Sequence, residues 1–124
     1  MPSRRDRSPE DAAEDSAYRA GIGKAIQRLR LDAGRTRESL AHRSGLSENT
    51  VTQIEEGLME EPGWQTLRDL ARGLDVEVPE LIQRGIELAP GEGGDLLRQR
   101  ESEARDIDIE EVRARAEAEE REGG

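Results

Sequence analysis

Leucine, isoleucine and valine, the side chains on which a core depends, number 23 in this chain, and 16 of them fall between residues 21 and 82. The first twenty residues hold none, and phenylalanine is absent throughout. Burial of apolar surface is the main favourable term in folding, so this distribution permits one small core in the middle of the chain. Averaged over its 124 residues the chain is 39% charged and 32% hydrophobic, a balance typical of disordered segments. Clustering overrides the average. The expected organisation is a disordered tail over residues 1–18, a folded domain over 19–88, and a glycine-rich linker with an acidic, partly helical tail over 89–124.

Within the central block the apolar period is helical. Ile22, Ile26, Leu29 and Ala33 form one stripe of a helix that starts at Gly21 and stops at Gly34. Thr36 is placed to cap a second, short helix carrying Leu40 and Ala41, which breaks at Ser44-Gly45. Ser47 caps a third, with Val51 and Ile54 inward and Gly57 at its end. Trp64, Leu67, Leu70, Ala71 and Leu74 mark a fourth, and the spacing predicts a buried Trp64. Asp75 to Val78 alternates like a strand but has no partner strand, so a short fifth helix over Pro79–Arg84, closed by Gly85, is expected. Ala89 to Gly94 has linker composition. Asp108 and Glu111 resemble a capping pair for a last helix over about 109–121, whose apolar face holds only Ile109, Val112 and Ala116. That helix reads either as a solvated, fraying tail or as a partner-binding element.

Charge and residue type exclude several classes. No apolar run approaches the ~18 to 20 residues of a membrane-spanning helix, and residues 1–20 have early arginines without the apolar stretch of a secretory leader, so a cytoplasmic protein is expected. With no cysteine and one histidine, His42, neither a metal site nor a cofactor is expected. His42 reads as a surface residue, and Tyr18 as a cover for the edge of the first helix. No nucleophile and base pair or phosphate-cradling glycine loop suggests an enzyme. The net charge of −10 is uneven: residues 19–83 carry nine basic and eleven acidic side chains, whereas residues 84–124 carry seven and thirteen. The middle is nearly neutral, which argues against strong non-specific DNA binding without excluding a local basic face.

The second helix, the turn at Ser44-Gly45-Leu46 and the third helix carry the most specific signal. Two helices crossing steeply through a tight turn need a small residue at their contact and commonly a glycine at the corner. Ala41 and Gly45 supply these, and Leu40, Leu46, Val51 and Ile54 supply the apolar lock. With Gly57, Pro62 and the stripe from Leu67 to Leu74 in the same order, the stretch from Ile22 to Ile82 resembles the phage repressor and Cro type of helix-turn-helix transcriptional regulators. The resemblance implies an all-α fold, a compact five-helix DNA-binding bundle. It also implies a homodimer on double-stranded DNA, with the third helix, about residues 48–56, in the major groove.

On that resemblance the base-reading candidates are the outward residues Glu48, Asn49, Thr52 and Gln53. Side-chain amides suit adenine N6 and N7, a carboxylate accepts from cytosine N4, and the threonine methyl meets thymine. Thr36, Arg37 and Arg43 are the candidate phosphate contacts, Arg37 standing where the family often has glutamine. Arg4, Arg5 and Arg7 offer a weaker case for a groove-reaching arm. Glu56, where relatives often carry a phosphate-binding Asn or Arg, departs from the family, as does a Gly57–Pro62 loop one residue longer than usual that holds Glu60 and Glu61. An acid at Glu55 is usual in the family and is expected to be structural.

The leading expectation is therefore a sequence-specific transcriptional regulator, a repressor, with Ile82, Ile86 and Leu88 as candidate dimer contacts or ordinary packing residues. The competing reading is an antitoxin-like or adaptor protein that keeps the scaffold and engages a protein partner through the acidic tail. A further expectation follows from opposite charges: the tail folds over the arginine-bearing face and competes with DNA.

Overall fold

The computed structural model describes residues 8–59, 62–105 and 109–123, and among them forms seven α-helices and no strand. Helix α1 (Pro9–Asp32) begins where Ser8 Oγ accepts the Asp11 amide at 3.1 Å, with proline in the first turn and Glu10 and Asp11 at the positive end of the helix dipole. Helices α2 (Arg37–Ser44) and α3 (Glu48–Glu55) are capped as their sequences predict: Thr36 Oγ1 accepts from the Ser39 amide, and Ser47 Oγ from the Thr50 amide, each at 3.0 Å. Then come α4 (Trp64–Gly73), α5 (Val78–Leu88), α6 (Gly91–Arg105) and α7 (Ile109–Gly123).

One core unites the first five helices. Ile22 and Ile26 of α1, Leu40 of α2, Val51 of α3, Leu70 of α4 and Leu81 of α5 are its fully buried large side chains. Each withdraws enough apolar surface to contribute about 1.5–3 kcal/mol. Tyr18, Leu29, Leu46 and Leu88 pack half-buried at its margin, and His42 is exposed.

The flanks depart from the sequence-based picture. Helix α1 starts at Pro9 and not at Gly21, so residues 9–18 are helical where a disordered tail is expected. The segment read as a linker is the first turn of α6, which lies against α1 and α5. Small residues explain both. Gly93 sits where a Cβ would collide with the Ala13 carbonyl and press on Ala17, so the two backbones meet without side chains between them. Arg100 of α6 then lies 2.8 Å from Glu14 and 3.6 Å from Asp11, and Glu14 and Ala17 are buried. Contacts of this kind leave no trace in a count of large apolar residues.

Gly85 lies inside α5 and does not end it. The Ile22 side chain fills the space a Cβ there would need, and Gly21 in turn meets Gly85 and Ala89. Arg98 of α6 satisfies the end of α5 through Nη1, 3.0 Å from the Ile86 carbonyl and 2.9 Å from that of Ala89. Trp64 is 62% exposed, contrary to its expected burial. It occupies the first position of α4, and the inward stripe starts a turn later at Leu67. Ile82 and Ile86 are half-buried. Along the final helix the side chains of Val112 to Arg121 are exposed apart from the half-buried Ala118. Arg4, Arg5, Arg7, Glu60, Glu61 and Asp108 lie outside the described residues. Among the described residues no helix is long and apolar enough to cross a membrane, and no group of His, Asp or Glu is placed to hold a metal ion.

Candidate nucleic-acid interface

The turn between α2 and α3 is closed by backbone geometry. Gly45 takes φ 70°, the left-handed region that costs a residue with a Cβ but not glycine. This reverses the chain so that the Leu46 amide donates back to the Ala41 carbonyl at 2.9 Å, satisfying an orphan carbonyl of α2. Ala41 is buried at the crossing, and Val51 and Ile54 anchor α3 from below. These positions agree with the sequence reading.

Val51, Ile54 and Glu55 are the buried residues of this eight-residue helix, which leaves its opposite face turned outward. Glu48, Asn49 and Gln53 are exposed, and Thr52 is half-buried. Neither the Asn49 nor the Gln53 side-chain amide is bonded to another described residue; only the Gln53 backbone carbonyl is engaged, by the Leu58 amide at 2.8 Å. Thr36, Ser39, His42, Leu46 and Glu48 line one shallow open depression, which brings the start of α2 beside the start of α3.

The far end of α3 is held electrostatically. Glu55 and Glu56 stand at its C-terminal end, where the helix dipole disfavours acids. The Glu55 carboxylate, 1% exposed, receives a two-pronged bond from Arg30 of α1, Nε to Oε2 at 2.7 Å and Nη2 to Oε1 at 2.9 Å. Arg30 Nη1 completes the set on the Arg35 carbonyl at 2.9 Å. The bond to Glu55 holds the Arg30 guanidinium above its ordinary value; burial opposes this, and the attraction of the Glu55 charge adds to it. Next to this pair, Gly23 of α1 admits the carbonyls of Ile54 and Glu55 at a distance no Cβ allows. Arg30 escapes a sequence reading directed at exposed cations; an arginine on the inner half of an amphipathic helix, with an acid at the end of a neighbouring one, is the signal that identifies it.

The three candidate phosphate contacts occupy different states. The Thr36 hydroxyl caps α2 through the Ser39 amide, and among the described residues no other amide of that first turn receives a side-chain cap. Arg37 points at the end of α3, its Nε 3.2 Å from Glu55 Oε1 and Nη1 3.9 Å from Glu56 Oε1. Arg43 ties α2 to the end of α4, donating to the Gly73 carbonyl and to Asp75 Oδ2, each at 3.0 Å. Both arginines thus have acceptors within the chain. Helix α6, the first helix of the acidic segment, rests on α1 and α5 and is held there by Arg98 and Arg100, which corrects the expectation that this part of the tail folds over the arginine-bearing face.

The likeness to known proteins is consistent with this geometry. A chain of the clp gene regulator ClgR from Corynebacterium glutamicum superposes with a TM-score of 0.55 at 24% identity, covering 71% of this chain and 87% of that one. A chain of the SinR protein/SinI protein complex gives 0.50 at 24% identity over 83% and 99%. The restriction-modification controller protein C.AhdI from Aeromonas hydrophila is 32% identical over 50% of this chain and 92% of its own, with a TM-score of 0.48. No curated protein sequence matches the chain. A family model described as a helix-turn-helix domain matches residues 22–84, from the middle of α1 into α5 and across the whole of α2, the Gly45 turn and α3. The chain therefore belongs to the helix-turn-helix domain family.

Proposed function

We propose that this protein is a sequence-specific DNA-binding transcriptional regulator, a repressor, which reads the major groove with α3. The observation that carries the reading is the pair of exposed, unengaged amides of Asn49 and Gln53 on a helix anchored at both ends. Amide side chains pair with adenine through N6 and N7, and a preformed helix presents them without the cost of ordering its backbone. Glu48 accepts from cytosine N4 and Thr52 offers its methyl to thymine. Thr36, Arg37, Arg43 and the free amides at the start of α2 meet the phosphates. Residues 19–88 form the DNA-contacting unit. One such helix reads only a few base pairs, so the protein acts as a homodimer on half-sites about 34 Å apart, with Ile82 and Ile86 as contact candidates.

Selection of random duplex oligonucleotides with the full-length protein tests this. An enriched palindrome with half-sites one helical turn apart is expected, and Asn49→Ala or Gln53→Ala should each weaken binding to it by about 1–3 kcal/mol. Failure to enrich any sequence, or alanine variants that bind as tightly as the parent, overturns the reading in favour of an adaptor that uses the scaffold for protein contacts.

A further inference from the structure

Arg37 stands between two carboxylates of different standing. Glu55 is buried and already held by both prongs of Arg30, whereas Glu56 is 50% exposed and meets Arg37 only at 3.9 Å. Arg37 itself is 31% exposed, at the first position of α2, one residue after the Thr36 cap and its free backbone amides. Its guanidinium therefore has one edge fixed on a buried acceptor and another on an acceptor that water and ions reach. A guanidinium carries five donors in a rigid fork, and carboxylate and phosphate oxygens compete for the same geometry.

We propose that Arg37 is a shared cation whose outer edge exchanges partners. In the free protein it bridges α2 to the end of α3 through Glu55 and Glu56; on DNA it keeps Glu55 and trades Glu56 for a backbone phosphate oxygen. Glu56 is then an internal competitor for the phosphate site and sets the affinity and salt response of the interface. Arg37 is in this sense a positioning residue for α3 through Glu55 and a phosphate contact through its other edge. The inference rests on the DNA-binding reading above.

The experiment is a double-mutant cycle on the full-length protein, Arg37→Gln, Glu56→Gln and both together. Binding to the selected palindrome is measured over a salt series, and thermal unfolding without DNA. Glu56→Gln is expected to tighten binding about two- to five-fold, the range of an exposed ion pair. In the Arg37→Gln background the same change should have no effect, because the competitor acts only through that arginine. Arg37→Gln should also lower the magnitude of the salt slope by about 0.9 per complex subunit, the loss of one phosphate contact; a purely structural role would change stability and leave the slope alone. Arg37→Lys, which keeps the charge, should restore the slope and guards against a variant that does not fold. An equal gain from Glu56→Gln in both backgrounds means simple repulsion and overturns the exchange. An unchanged slope in Arg37→Gln overturns the phosphate contact while leaving the DNA reading intact. Absence of any selected site refutes that reading and the exchange with it.

Discussion

Replacing Glu55 by leucine removes the acceptor for two of the three hydrogen bonds of Arg30 and leaves a guanidinium, 9% exposed, with only the Arg35 carbonyl. A buried charge stripped of its counterion costs about 3–5 kcal/mol, against about 0.2–1 kcal/mol for an exposed pair. The additional bond from the partly exposed Arg37 adds little to that sum. For a domain of this size the loss is roughly 10–20 °C in melting temperature, a large share of a total stability of about 5–15 kcal/mol. Urea unfolding of the full chain, followed by helical circular dichroism, measures it. The double variant Arg30→Met with Glu55→Leu should recover most of the loss, since apolar residues of similar volume replace buried pairs at little cost. If Glu55→Leu costs under about 1 kcal/mol and the two substitutions simply add, the clamp is not what holds the end of α3.

Three further outcomes follow from single residues. Gly93→Val should push α6 off α1, lowering stability by about 1–3 kcal/mol and removing amide-exchange protection over residues 10–18 while α3 keeps its own. Burial raises the Tyr18 hydroxyl above its ordinary value, so the folded state holds this proton to higher pH than the unfolded chain does. Its contribution is full below the ordinary tyrosine value and is lost as pH rises through the folded one; a tyrosinate absorbance titration with a midpoint at or below that of free tyrosine contradicts this. Trp64, the only tryptophan, should emit like a solvated indole and quench freely, and Trp64→Ala should change stability by no more than about 0.5 kcal/mol. A loss near 3 kcal/mol, as for a buried aromatic, would return it to the core.

The helix-turn-helix core was legible because its signals are local and stereochemical. Thr36 and Ser47 cap as expected, Gly45 adopts the one conformation that demands it, and Val51 and Ile54 point inward from a short helix with a single apolar face. The flanks were illegible because Gly93, having no side chain, lets α6 meet the Ala13 carbonyl and the Ala17 methyl, and the same glycine in isolation reads as flexibility. Trp64 misled for a different reason: a period of 3.6 places it near the stripe, but it is the first residue of α4 and the buried face of that helix begins at Leu67. Arg37 and Arg43 carry the charge a phosphate requires, yet only coordinates reveal that Glu55 and Asp75 reach them first.

The docking of α6 on the early turns of α1 bears on how this protein can be dissected. At about 1.5 Å per residue the 24-residue α1 is about 36 Å long, and its leading half is sheathed by residues that follow the matched domain in the chain. A truncation at the glycine run would leave that half as a bare, charged rod, with Glu14 stripped of its arginine. Any fragment trimmed to the matched domain is therefore a different folding problem from its parent, and functional effects of such a cut must first be separated from the melting of the exposed rod.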